Sequence, residues 1–575
     1  MEANLGTKLR QLLVFLAFGP AAASVMATPA DLVFVNGAVY RVDAARSWAS
    51  ALAVTGSRIS YVGDDATART FIGPATRVID LNHRMLLPGF QDSHVHPGDY
   101  YPEATALGLH GPVQREPIFE RIRKFARAHP EKPWIVGDGW DEGAFLPEGQ
   151  PTRAMLDALV PDRPAFMYNN GGTAGWANTR ALAAAHITAA TPNPLNGRIE
   201  HDGHGEPTGM LHWMPAMELV EAVIPPLSLA EQVDRMSTAL QEMTRSGITA
   251  LVDPWTLPQW MAAYQFLDQH GALRQRSALC LVYDPQQDDE AQYQTFLAQR
   301  TALAGQRMRV GCVKFFLDGA YAAHTLALLQ PYSDDAKFGS GKLFVEQERL
   351  NRMVTRLDAA RFQIHVHAQG DAAVRAALDA FAAARRHNGP LDNRHTIAHL
   401  CLVDRADIPR FRELGVIANM SPLWSRNDTW EGVMAPRLFG PERSRRLLQM
   451  RTLLDSGATL VWGSDWPVTD LSPLAGIEAA LTHRYPGGKD PSGKEDQPLN
   501  PQERVNLEQA IVAYTSAAAY LLHDEANRGS LAPGLAADLV VLGGNLFETA
   551  PLEIHNVSVD MTLIDGKVVF ERSAR

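Results

Sequence analysis

Residues 86–97 read LLPGFQDSHVHP, an apolar run that breaks at Pro88-Gly89 and ends in the pair His94-x-His96. Side chains two apart on a strand face the same way, so an extended chain here puts both imidazoles on one side. A single such pair among 19 histidines carries little weight. Its weight comes from similar groups at the ends of later strand-like runs: Lys314 in VGCVKFFLDG, His367 in HVHAQGD, His399 in RHTIAHL and Asp465 in WGSDWP. Together with ITALVDP, RSALCLVY and GVIANMSP, these runs alternate with helix-like segments from about residue 87 to 525. Alternating strands and helices imply a parallel sheet, and this number of units predicts an α/β fold built on a (β/α)8 barrel of the TIM type. Such barrels carry their sites at the C-terminal strand ends, where all six residues fall.

The 575 residues exceed what one core usually serves, so a barrel with insertions or a second domain is expected. With 46% hydrophobic and 20% charged residues the chain is neither disordered nor a polytopic membrane protein. A net charge of -11 offers no basic footprint for a phosphate backbone, which argues against nucleic acid as a partner. Cys280, Cys312 and Cys401 lie scattered in apolar runs without paired spacing. They read as small buried residues rather than a disulfide framework or a zinc ribbon.

Residues 1–27 have the pattern of a secretory signal peptide: Lys8 and Arg10, the apolar run 12–18, then Val25-Met26-Ala27 before the cleavage point. Gly19 and Pro20 interrupt the run early, so stable membrane insertion after signal removal is not expected. A periplasmic or secreted location is. Residues 31–86 and 526–575 both read as short strands, and each piece is too small to bury a core alone. They are expected to pair into one composite β-sandwich flanking the barrel of 87–525. Asn36-Gly37 and Asp565-Gly566 both carry the signature of hairpin turns. The long stretch from about 100 to 245 is an insertion on the active-site side, and the polar loops 331–342 and 486–501 are long enough to be functional or mobile.

The motifs LLPGFQDSHVH, GWDEG, PTRAMLDALVPDRP, ANTRAL, VKFFLDGA, HAQGD, AHL, SDWPV and GSLAPGLAADLVVL resemble those of the amidohydrolase superfamily. The branch is the YtcJ-like one, related to N-substituted formamide deformylase. The resemblance spans essentially everything after the signal peptide. It implies a metal-dependent hydrolase with His94, His96, Lys314, His367, His399 and Asp465 at the metal positions. His365 and His395 are rival ligands that the family pattern passes over in favour of His367 and His399. Lys314 sits in an apolar run, where burial would leave a neutral amine. The resemblance implies that this amine takes up carbon dioxide to become a bridging carbamate; the alternative is a structural lysine paired with a carboxylate such as Asp318.

Imidazole and carboxylate ligands with open positions suit zinc, one or two ions per chain, and leave manganese, cobalt and nickel open. Asp465 is the expected catalytic base and then acid. Trp466, next to it, is expected to line the substrate pocket, with Trp176 a second candidate. His201, His204, His212 and His324 read as solvent-facing residues of long loops. Two departures from relatives bear on substrate: YNNGGTAGWANTRAL lacks a histidine common in the insertion, and Ala398 stands where a Glu often precedes the ligand histidine. The expected reaction is cleavage of a C-N bond in an N-acyl, N-formyl or cyclic amide by metal-activated hydroxide. The alternatives are an ester, lactone, carbamate or phosphotriester hydrolase on the same site, and a non-catalytic binding or regulatory protein on an inherited barrel. A small-molecule substrate is the expected partner, and a homodimer is allowed.

Overall fold

Eight parallel strands, each followed by a helical crossover, form the centre of the molecule. They are β1 (Phe90–Asp92), β2 (Ile248–Asp253), β3 (Arg276–Val282), β4 (Met308–Phe316), β5 (Gln363–Ala368), β6 (Thr396–His399), β7 (Ile417–Met420) and β8 (Leu460–Trp462), hydrogen-bonded in that order. Backbone bonds from Ser93 N to Trp462 O at 3.0 Å and from Asp465 N to His94 O at 2.8 Å bring the last strand back to the first. This is the (β/α)8 barrel expected from the strand count. The computed structural model describes residues 28–101, 106–145, 149–320, 324–491 and 493–573. The expected signal segment, 1–27, lies outside the described residues.

The barrel strands are apolar because both their faces are covered, as in parallel sheets generally. Every residue of β2, β5, β6 and β7 is buried. The outer layer is made by amphipathic helices. In Leu229–Arg245, Met236, Ala239, Leu240 and Met243 recur at helical spacing and enter the main core, while Ser228 and Glu231 form a reciprocal capping box at its start. Inside the barrel, Ala250, Val252, Ala278, Ile417 and Val461 close the floor with an apolar plug. The site is therefore open on the C-terminal rim only.

Chain ends combine beside the barrel. A six-stranded sheet runs Lys567–Glu571, Val559–Ile564, Leu539–Leu542, Met85–Pro88, Ala38–Tyr40, Trp48–Ala49, so three strands from the C-terminal piece join three from the N-terminal piece in one ladder, through the pairing of Leu539–Leu542 with Met85–Pro88. A four-stranded sheet of Arg58–Gly63, Ala51–Thr55, Leu32–Val35 and Arg77–Asp80 packs on it through Phe34, Leu52, Leu86, Leu539 and Leu563. Asp565-Gly566 makes the expected hairpin, both residues at positive φ (47° and 73°) between antiparallel strands. Asn36-Gly37 does not. Leu32–Val35 pairs with Ala51–Thr55 and Arg77–Asp80, whereas Ala38–Tyr40 joins the other sheet, so the dipeptide turns the chain from one layer to the next. A Cβ on Gly37 would lie 2.2 Å from Leu81 Cδ1, so this corner needs glycine for closeness of packing rather than for a hairpin.

The insertion between β1 and β2 builds a six-stranded sheet of its own, from Leu107–Gly108 to Pro207–His212, with two separate apolar cores. It stands over the rim of the barrel. Among the described residues no helix is long and apolar enough to cross a membrane.

Candidate metal centre

The six ligand-type side chains expected from sequence all sit at the C-terminal end of the barrel and are buried or nearly so. Asp465 is the hub. Its Oδ1 lies 3.4 Å from His94 Nε2 and 3.2 Å from His96 Nε2, and its Oδ2 lies 4.0 Å from His399 Nδ1. The ring centroids of His94 and His399 are 4.8 Å apart, and those of His367 and His399 4.4 Å. Lys314 on β4 stands opposite His365 on β5, two residues below the pairing of Phe316 with His367. The backbone bends to deliver these groups: His399 (φ 78°) and Asp465 (φ 57°) adopt left-handed conformations that cost non-glycine residues about 1–3 kcal/mol. Next to them Gly463 allows the close approach of β1, since a Cβ there would lie 2.3 Å from that of His94.

Their charge states suit metal binding. Burial first, then the nearby Lys314, hold His94 well below the usual imidazole range and push His367 down to about 3. Burial and then His367 do the same to His399. These rings are neutral and offer lone pairs. His96 differs: burial lowers its proton affinity, but its contact with Asp465 outweighs that and raises it. Burial brings the Lys314 ammonium down to about 7, opposed only by Asp465 and Asp253 at a distance, and its Nζ faces the ring of Phe316 at 4.7 Å. Asp318, the alternative partner for Lys314, instead accepts backbone N–H bonds from Gln369, Gly370 and Ala327. One nitrogen facing the cluster, Nδ1 of His399, is buried without a hydrogen-bond partner, and so is the outward-facing Nδ1 of His96. Four clustered imidazoles, a carboxylate and a lysine amine whose proton is held only weakly, with an orphaned nitrogen on His399, fit a divalent cation.

Above the cluster opens a cavity of about 1350 Å³. Its walls near the histidines are aromatic. Trp424 stacks on His399 (centroids 5.0 Å, planes 15° apart), Phe316 lies 5.2 Å from His367, and Trp213 lies 5.9 Å from it. Trp466 lines the cavity, its ring tilted by 34° against that of Tyr100 with centroids 4.4 Å apart. The insertion contributes His110, Asp138 and Tyr168 to the far wall, and the loop 486–501 contributes Asp490.

The sequence profile described as amidohydrolase family matches residues 77–570. The chain belongs to that family. YtcJ of Bacillus subtilis (strain 168), named as an amidohydrolase, is 29% identical over 510 residues, covering 87% of this chain and 92% of its own. The N-substituted formamide deformylase of Arthrobacter pascens is 26% identical over 573 residues, covering 94% of this chain and 99% of its own. Among solved structures, a metal-dependent hydrolase from Pyrococcus furiosus superposes with a TM-score of 0.68 at 25% identity, covering 91% of this chain and 99% of that one. The protein is thus a hydrolase of the metal-dependent amidohydrolase type.

Within this amidohydrolase, several expectations resolve differently from the sequence reading. Trp176, a candidate substrate contact, is fully buried in the insertion core against Phe145 and Phe119, and its Nε1 donates to Thr152 O. Alternation along its strand turned it inward. The rival ligand His365 is not in the cluster but supports it, its Nε2 lying 3.0 Å from His94 Nδ1. His395 pairs with Asp358 outside the lumen. His212 and His324 pair with Glu200 and Asp334. Asp92 belongs to none of the expected ligand positions, yet its Oδ1 accepts from the backbone N–H of both His94 and Ser464, tying the two ends of the barrel together under the site. Its only sequence signal is its place two residues before His94.

Two of the three cysteines are not the unpaired buried thiols expected from their spacing. Cys280 on β3 and Cys312 on β4 are directly opposite in the ladder and form a disulfide; Cys401 is buried elsewhere. Thirty-two residues separate the pair, so spacing gave no hint; parallel register on adjacent lumen-facing positions brings them together. Both sulfurs lie within 4.8 Å of a ring nitrogen of His365, which in turn contacts His94 of the candidate ligand cluster. Thiol titration of the denatured protein should find one reactive group per chain before reduction and three after it. Three before reduction would show that the bridge is absent.

Proposed function

We propose that this protein hydrolyses the C-N bond of an N-acyl, N-formyl or cyclic amide bearing an apolar or aromatic substituent. The observation that carries this reading is the position of Asp465, a buried carboxylate facing two imidazoles at the floor of an aromatic-walled cavity. The relative named a formamide deformylase supports the choice of bond, and Trp213, Trp424, Trp466 and Phe316 support the choice of substituent. Export, expected from the leader, is supported by the Cys280–Cys312 bridge, since disulfides persist mainly in oxidising compartments.

His94, His96, Lys314, His367, His399 and Asp465 would hold the metal, with zinc favoured by the nitrogen-rich donor set. When bound, the ion supplies Lewis acidity, polarising the substrate carbonyl and lowering the pKa of water. The chain's own residues do the rest. Asp465 lines the cavity beside His94 and His96 and accepts the proton that water loses as its oxygen bonds the carbonyl carbon. As the C-N bond breaks, the same carboxyl returns that proton to the leaving nitrogen, so the products are a carboxylic acid and an amine. The aromatic walls exclude bulk water and orient the substituent. Lys314 loses its ammonium proton as pH rises through about 7, and the neutral amine so formed is the state that could add carbon dioxide and release one N–H proton to give an anionic carbamate.

The test is turnover of a panel of N-acyl, N-formyl, cyclic amide and ester substrates by zinc-loaded protein. Amide turnover should exceed ester turnover for aromatic substituents, and Asp465→Asn should lose about 10²- to 10⁴-fold, the usual contribution of a general acid or base. Equal or better turnover of esters alone would overturn the assignment of the bond. Because the Lys314 amine becomes unprotonated as pH rises through about 7, reconstitution of stripped protein should be faster at pH 8 with bicarbonate than at pH 6 without it. Undiminished activity of Lys314→Ala would reject the carbamate.

A further inference from the structure

An imidazole that binds a cation through one nitrogen carries its proton on the other, and if that N–H is buried it needs an acceptor. In three of the four candidate ligand histidines the neighbours of each ring nitrogen show which one faces away from the centre. His94 turns Nε2 to Asp465 and meets His365 with Nδ1 at 3.0 Å. His367 has Nε2 3.1 Å from Gly319 O, which assigns Nδ1 to the centre. His96 turns Nε2 to Asp465 at 3.2 Å, but its Nδ1 is buried without a hydrogen-bond partner. The acceptor facing that nitrogen is Asp253 Oδ1, at 3.9 Å.

Asp253 is the last residue of β2, on the strand beside β1, and is 1% exposed. Its carboxylate is held in place from the outside. Oδ1 accepts from the backbone N–H of Trp255 at 3.1 Å, and Oδ2 accepts from Tyr264 Oη at 3.3 Å. Each oxygen retains a further lone pair, and the fully buried Tyr264 on the helix Pro258–Gln269 fixes the orientation from the second layer. A buried carboxylate with no cation in hydrogen-bond contact is costly unless something else uses its charge. Asp253 meets none among the described residues within 4 Å except the His96 ring.

We propose that Asp253 is the positioning residue for His96: it accepts the Nδ1–H bond, fixes the tautomer, and so presents the Nε2 lone pair to the cation. Closing the gap from 3.9 Å to an ordinary hydrogen bond needs a shift of about 1 Å, well within a rotation of the ring. Asp253 touches neither substrate nor metal in this role. The inference rests on the reading of the cluster as a metal site and extends it by naming a carboxylate that determines how tightly one ligand holds.

The test is zinc affinity, measured by competition with a chromogenic chelator on the full-length mature protein, without substrate. Asp253→Ala should weaken binding by about 10- to 100-fold, the usual cost of losing an outer partner of a ligand histidine. Asp253→Asn keeps an acceptor oxygen and should lie between Asp253→Ala and the wild type, which also keeps the test valid if the alanine variant folds poorly. In a His96→Ala background, Asp253→Ala should change the affinity no further, an outcome that a general structural role would not produce. Unchanged affinity in Asp253→Ala, or an equal loss in the presence and absence of His96, would overturn the proposal. Failure of the wild type to bind zinc at all would instead refute the metal reading itself.

Discussion

Parallel pairing with a period of two is the constraint on which the rest depends. Because alternate residues of each strand face the lumen and every strand ends on the same rim, groups far apart in sequence arrive at one place with only the strand register to align them. Lys314, His367 and His399 come from three successive strands, and their relative heights follow from the pairing of Lys314 with His365 and of Ala368 with His399. A slip of one residue in either ladder would turn a ligand into the helix layer. The apolar plug on the floor and the helix layer outside hold that register.

The polar cluster is costly to bury, and the surroundings compensate in detail. Asp92 and Asp318, both pushed up to about 7 chiefly by burial, accept backbone N–H bonds from the segments that carry His94 and His367. Histidines outside the ligand set also serve: His365 bonds His94. The left-handed backbone at His399 and Asp465 is strain tolerated at the two places where a side chain must turn back over the barrel mouth. The aromatic walls limit water around these groups and strengthen the electrostatic interactions among them.

Much of this was legible in the sequence because the chemistry lies in short motifs at strand ends. The strand-end places of His94, His96, Lys314, His367, His399 and Asp465 could each be read from a few neighbours, and the apolar runs that precede them defined the barrel. What depended on long-range register could not be read. Cys280 and Cys312 meet because β3 and β4 align them, and Asn36-Gly37 is a corner because its flanking strands find different partners. Trp176 sits in a motif that looks like pocket wall but whose alternation faces the insertion core. Asp253 ends an ordinary buried strand, and only its nearness to an unpartnered nitrogen distinguishes it.

The central claim is that the strand-end cluster is where the metal resides. Diffraction data collected on both sides of the zinc absorption edge, from crystals of active protein, test it most directly. An anomalous-difference peak about 2.0–2.2 Å from the ligating nitrogens of His94 and His96, and beside Asp465, is the predicted result. Active protein with no peak there, or with its metal elsewhere, would contradict the account.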